Sequence, residues 1–238
     1  MSLRDHIFHQ VSHILERIEL IKTKYKLSHH VMLMAVTKST NIDGILFARD
    51  AGVSLFGENY IQASVPKLNE LFSGHHFDAS LFHFIGHLQS NKINKAMEYF
   101  SSIDTIDSVK LAEAVNTKAR HQGRIYPIFL EVNTSMETTK YGFSPEKILL
   151  FMDKIVCLEN IKVKGLMTMG PLYSNESGNR QSFAKLRSLK EKIEKNYGLD
   201  SLVLSMGMSH DFEWAIEEGS NMIRIGRGIF GEESIKHG

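Results

Sequence analysis

The chain has 238 residues, 42% hydrophobic and 23% charged, with 28 Lys plus Arg against 27 Asp plus Glu for a formal net charge of +1. This length suits one α/β barrel or two small domains, and the average composition excludes disordered, collagen-like and disulfide-scaffold classes. Balanced charge leaves no chain-wide basic field for nucleic acid, and the single Cys157 excludes an internal disulfide and a multi-thiolate metal site.

Residues 1–26 place Ile7, Val11, Ile14, Leu15, Ile18 and Ile21 at three- and four-residue intervals, with charges between them. That spacing predicts an amphipathic helix of a folded domain, not a signal peptide. Ser2 with Asp5 resembles a capping box, and Lys22, Lys24 and Lys26 crowd the end where cations suit the helix dipole. With no run of roughly 18 apolar residues, no membrane span is expected, and the protein is expected to be cytoplasmic.

Short apolar runs then alternate with longer amphipathic stretches. Strands are expected at 31–37, 54–58, 81–86, 101–104, 125–133, 161–168, 202–205 and 222–225. Helices are expected at 42–51, 60–71, 90–98, 109–121, 145–156, 182–196 and 211–218. Eight such units predict an α/β fold, a closed (β/α)8 TIM barrel with an N-terminal helix, as one domain over 1–238. The stretch 173–181 (YSNESGNRQ) reads as a mobile loop, and the charged run 185–195 as the solvated face of a helix whose core side is Phe183, Leu186, Leu189 and Ile193.

In such a barrel the active site forms at the C-terminal ends of the strands, and phosphate commonly binds after strands 7 and 8. Strand 1 ends in Ala35-Val36-Thr37-Lys38, which brings an amine to the mouth. Strands 7 and 8 end in Ser205-Met206-Gly207-Met208-Ser209 and Arg224-Ile225-Gly226-Arg227-Gly228. Small residues and hydroxyls there leave backbone N–H groups open to an anion. A desolvated strand-end lysine is a carbonyl-trapping amine. Lysine plus cradle implies a phosphorylated aldehyde cofactor or a sugar-phosphate substrate, and spacing does not choose between them.

Other features read as structural. His83 and His87 lie four apart on a strand and turn without a third ligand, so no metal site is expected. His29-His30 and His75-His76 read as loop residues, and Cys157, at a helix end among apolar residues, as a buried inert thiol. The pattern Gly226-x-Gly228-x-x-Gly231 fits GxGxxG but opens no βαβ unit, so it is no dinucleotide fingerprint. The pairs Met32/Met34, Met167/Met169 and Met206/Met208 alternate with strand spacing and belong to core and pocket wall. Lys140 reads equally as a second phosphate contact or a solvent-facing lysine.

Seven motifs carry a resemblance: AVTKST at 35–40, FGENYIQ at 56–62, HFIGHLQSNK at 83–92, EVNTS at 131–135, GLMTMG at 165–170, SMGMSHDFEWAI at 205–216 and RIGRGIFGE at 224–232. In this order they resemble the pyridoxal phosphate homeostasis proteins, single-domain relatives of the alanine racemase barrel. The resemblance spans essentially the whole chain. It implies a fold-type III barrel without the C-terminal β domain, binding pyridoxal 5′-phosphate (PLP) as a Schiff base on Lys38. It further implies that Asn59 lies beside the ring, that Ser205, Ser209, Gly226 and the backbone N–H of Arg227 hold the phosphate, that Arg224 faces the pyridine nitrogen, and that Met206 with the strand 6 methionines borders the pocket. Family members carry Ser, Thr or Ala where this chain has Arg227, which leaves a backbone contact there but no hydroxyl.

Guanidinium offers only donors and is effectively never deprotonated, so a pyridine nitrogen facing Arg224 stays unprotonated and PLP is weakened as an electron sink. The resemblance thus implies intracellular PLP storage and delivery, without catalytic turnover, by a monomer that serves PLP-dependent apo-enzymes. The alternatives are an amino-acid racemase or decarboxylase on the same barrel, which needs a second acid/base group opposite Lys38, and a cofactor-free aldolase or sugar-phosphate isomerase.

Overall fold

The computed structural model describes residues 1–75, 77–171 and 175–231. Strands β1 (Met32–Val36), β2 (Leu55–Glu58), β3 (Phe82–Phe84), β4 (Ser102–Ile106), β5 (Tyr126–Glu131), β6 (Ile161–Met167), β7 (Val203–Ser205) and β8 (Met222–Ile225) form one barrel in chain order. Each pairs in parallel with the next, and β8 returns to β1 in the register Met34↔Arg224 and Ala35↔Ile225. The helices are α1 (Leu3–Tyr25), α2 (Ile42–Asp50), α3 (Ile61–Gly74), α4 (Ile93–Tyr99), α5 (Val109–His121), α6 (Pro145–Val156), α7 (Glu176–Tyr197), α8 (Phe212–Glu217) and α9 (Arg227–Phe230). Among the described residues no helix is long and apolar enough to cross a membrane.

Alternation along the strands sorts side chains between two cores. Outward residues such as Leu33, Ala35, Ile128, Leu130, Ile223 and Ile225 pack with the helices in one continuous shell. Inward residues Met34, Phe129, Met167 and Met222, from four different strands, meet in a layer inside the barrel. Gly165 makes room for that layer: a Cβ there would stand 2.6 Å from the Phe129 ring and 2.2 Å from the Val203 carbonyl oxygen.

The first helix forms as its spacing predicts. The Ser2 hydroxyl accepts from the Asp5 N–H at 3.1 Å and donates to the Asp5 carboxylate at 2.7 Å. Lys26 ends the helix in the left-handed region at φ 53°. Ile7, Val11, Ile14, Ile18 and Ile21 are buried, while Leu15 lies on the exposed side. The helix packs on α2, α8 and α9, with Arg17 paired to Glu213 of α8.

Several expected boundaries change. Strand β4 runs to Ile106, past the expected end at 104, because a bulge between Ile103 and Ile106 keeps both isoleucines in the outer core. The expected helix 90–98 divides into a 3₁₀ turn at Ser90–Lys92 and α4. The stretch expected as a loop over 173–181 is helical from Glu176 onward, because Asn175 caps α7 by accepting from the Gly178 N–H at 3.0 Å. Residues 173 and 174 lie outside the described residues. Phe183, Leu186, Leu189 and Ile193 form the buried face of α7. Cys157 is exposed, not buried: Ile155 takes the inward position of α6, and Cys157 caps its solvent end. Helix α9 was not expected from the sequence.

Candidate functional site

The mouth of the barrel is built where each inward register leaves its strand. On β1 the register continues from Met34 to Val36, and Lys38 follows two residues on, in a turn. The side chain of Val36 lies against the loop after β8, since a Cβ at Gly226 would stand 3.4 Å from its Cβ. The Lys38 turn and the Gly226 loop are thus brought together. Lys38 is exposed, not enclosed: Val36 ends β1 half-buried, Thr37 just past it is buried, and Lys38 follows at the rim.

A buried network holds that turn. The Thr40 N–H donates to the Thr37 carbonyl at 3.3 Å, closing residues 37–40. Lys67 of α3 donates to the carbonyls of Thr37 (2.7 Å) and Thr40 (3.2 Å) and pairs with Glu58 at 2.6 Å. Glu58 accepts from the hydroxyls of Thr37 at 2.7 Å and Ser64 at 2.9 Å. Asn59, the next residue, has a buried Oδ1 with no hydrogen-bond partner. Its backbone is seated against Gly86 of the HFIGH segment, where a Cβ would stand 2.0 Å from the Asn59 carbonyl oxygen. Asn59 borders a cleft of about 390 Å³ shared with Tyr60, Gln62, His87 and Lys92.

Below the mouth the lumen is charged. Arg224 is buried and donates from Nη1 to the Ser205 hydroxyl at 2.7 Å and from Nη2 to the Thr168 carbonyl at 2.8 Å. Burial pushes its pKa below the usual guanidinium value, against the opposing pull of Asp104, Asp211 and Glu131. Asp104 is fully buried; His83 Nδ1 lies 2.9 Å from its Oδ2, and Ser102 donates to its Oδ1 at 2.6 Å. The Glu131 carboxyl is raised to about 7, first by burial and then by Asp107, with Arg224 opposing.

The expected site residues divide into three groups. Ser209, Gly226 and Arg227 gather at the start of α9, where the Gly228 N–H donates to the Ser209 hydroxyl at 3.1 Å and Arg227 is exposed. Ser205 lies deeper, fully buried, with its hydroxyl committed to Arg224. Met206, one residue on, points outward into the helix-packed shell, so its side chain is turned away from the lumen. Of the strand 6 methionines, Met167 faces the lumen and Met169 is exposed. Lys140 is not the solvent-facing lysine of one of its two expected readings. It donates to the Gly170 carbonyl at 2.7 Å and pairs with Glu137 at 3.0 Å, tying the loop after β5 to the loop after β6. His87 stacks on Tyr141 at 3.8 Å between ring centroids.

Sequence reasoning missed Lys67, Glu58, Asp104 and Glu131. Lys67 looks like any solvated helix lysine. Glu58 was visible inside FGENYIQ, and Glu131 inside EVNTS, as buried-run acids that need an account.

Three features suit a phosphorylated pyridine aldehyde: a primary amine at the rim, an unpartnered acceptor on Asn59, and a donor-only guanidinium on the lumen floor. The alanine racemase N-terminal domain model matches residues 10–234. A pyridoxal phosphate homeostasis protein of Vibrio alginolyticus is 36% identical over 93% of this chain and 95% of its own length. A protein of unknown function from Bifidobacterium adolescentis superposes with a TM-score of 0.90 at 34% identity, covering 97% of each chain. PipY of Synechococcus elongatus, solved with PLP bound, superposes with a TM-score of 0.78 at 32% identity over 91% of this chain and 99% of its own. On the scale of a whole barrel and at these identities, the chain belongs to the pyridoxal phosphate homeostasis family, built on the alanine racemase N-terminal barrel.

Proposed function

We propose that this protein binds PLP in the barrel mouth and serves intracellular PLP homeostasis by storing and delivering the cofactor. The observation that carries the reading is the exposed amine of Lys38 set beside the Gly226 loop, above the buried Arg224. When bound, PLP supplies an aldehyde that a primary amine can hold as a Schiff base, and Lys38 supplies that amine. Ser209 and the backbone at Gly226 and Arg227 hold the phosphate, and Asn59 offers its unpartnered Oδ1 to the ring side. Arg224 meets the ring nitrogen with donors alone and so keeps a proton off it. Ser205 accepts from Arg224 and so fixes the guanidinium, and its own O–H remains a donor for the phosphate.

A group that holds the ring nitrogen unprotonated suits a carrier better than a carbanion catalyst. The protein therefore acts in the cytoplasm as a monomeric carrier without turnover, passing PLP to apo-enzymes. The test is the absorbance spectrum of purified protein with and without PLP. Wild type develops an imine band, and Lys38→Ala loses it while the circular dichroism stays unchanged. A wild-type protein that remains colourless at saturating PLP would sink the reading and favour a sugar-phosphate ligand.

A further inference from the structure

We propose that Lys67, which lies on α3 outside the cofactor contacts, is the positioning residue for Lys38: its ammonium clamps both ends of the turn that presents the amine. The proposal rests on Lys38 as the cofactor's anchor and adds how that anchor is aimed.

The turn is weakly closed on its own, by one N–H of Thr40 reaching the Thr37 carbonyl at 3.3 Å. Lys38 adds nothing to its rigidity, because its side chain is exposed. Lys67 changes this by donating to the first carbonyl of the turn at 2.7 Å and the last at 3.2 Å. An ammonium has three donors and no acceptor, and here the third direction is met by Glu58 at 2.6 Å.

Glu58 is buried, and its two oxygens are both engaged, one by the hydroxyl of Thr37 and the other by that of Ser64. An ion pair serving α3 alone would stop at Glu58. This one reaches back into the preceding βα unit and ends on Thr37 and Thr40, the two residues that bracket the anchor. Charge-assisted bonds in a covered site hold geometry better than neutral ones. Glu58 and Lys67 thus unite the FGENYIQ segment and its helix with the AVTKST turn into one device.

Anchoring requires aim. With a bound aldehyde, the Lys38 nitrogen would bond to its carbon and give up two protons, which would leave with the carbonyl oxygen as water; no oxidant or reductant would take part. Only a correctly placed amine completes that step, whereas phosphate and ring contacts do not depend on it.

Removing Lys67 alone would strand a buried carboxylate, so the informative protein is the double variant Lys67→Met/Glu58→Gln, which leaves no unpaired charge. It is compared with wild type by calorimetric titration with PLP and with pyridoxine 5′-phosphate, which has the same ring and phosphate but no aldehyde. We expect PLP affinity to fall at least tenfold and the imine band to form more slowly, while pyridoxine 5′-phosphate binds within twofold of wild type. Equal weakening of both ligands would make Lys67 a general support and overturn the proposal, as would unchanged PLP affinity. An imine band that survives in Lys38→Ala would overturn the anchor itself, and that control separates failure of the anchor from failure of the clamp.

Discussion

Glu131 makes the fold pay a pH-dependent penalty that can be measured directly. Its carboxyl sits buried at the end of β5, and its pKa rises from an ordinary 4.5 to about 7. Burial is the main cause, Asp107 adds to it, and Arg224 opposes it. Because the folded-state value is the higher one, the folded protein keeps a proton that the unfolded chain has already released between those two values. The associated stability is fully present below pH 4.5 and is lost as pH rises through about 7. At 1.36 kcal/mol per pH unit, the span from 4.5 to about 7 is worth about 3 kcal/mol. Glu131→Gln keeps the shape and removes the ionisation. Its unfolding free energy, measured in urea at pH 4.5 and again at pH 8, should therefore gain about 3 kcal/mol on wild type between the two conditions. The absolute difference at either pH also contains the exchange of a carboxyl for a carboxamide in the lumen, so only the change with pH is diagnostic. A gap between the two proteins constant to about 0.5 kcal/mol would refute a buried, neutral-range carboxyl at this position.

Two further outcomes follow from the lumen. Gly165→Ala places a methyl 2.2 Å from the Val203 carbonyl oxygen, so backbone must shift at a cost of about 1–3 kcal/mol; thermal unfolding would show this as a lowered Tm, and an unchanged Tm would mean the lumen layer is not packed as described. Protein loaded with PLP and incubated with alanine in D2O should exchange the Cα hydrogen no faster than free PLP does, since the proposed placement of Arg224 at the ring nitrogen would offer it only donors. Faster exchange would restore the racemase alternative, with Glu131 as the candidate base.

The barrel was legible because its strands carry an unambiguous signal. The run Met32–Val36 is apolar on both faces, as a buried parallel sheet demands, and α5 and α6 match their expected bounds residue for residue. Pattern failed where one local feature overrode composition. Gly178 and the serines and asparagines around it look like loop, yet Asn175 caps a helix there. The bulge in β4 has no signature in its own sequence, since it follows from keeping Ile103 and Ile106 on one face.

At the site, motif order put Lys38, Asn59, Ser209 and Gly226 after the C-terminal ends of strands, with Arg224 inside β8, but side-chain direction was less legible. Ser205 and Met206 are consecutive, and that single step moves the side chain from lumen to outer shell. Lys67 was invisible because its partners, the Thr37 and Thr40 carbonyls, are backbone atoms that no side-chain pattern reports.

The seam of the barrel has its own consequence. Strand β1 pairs with β8, so Lys38 and the Gly226 loop follow the first and the last strand of the barrel and meet across its closing seam. Neither half can grip a ligand until the ring has shut. A molecule that touched both would act as a clasp across the joint between β1 and β8.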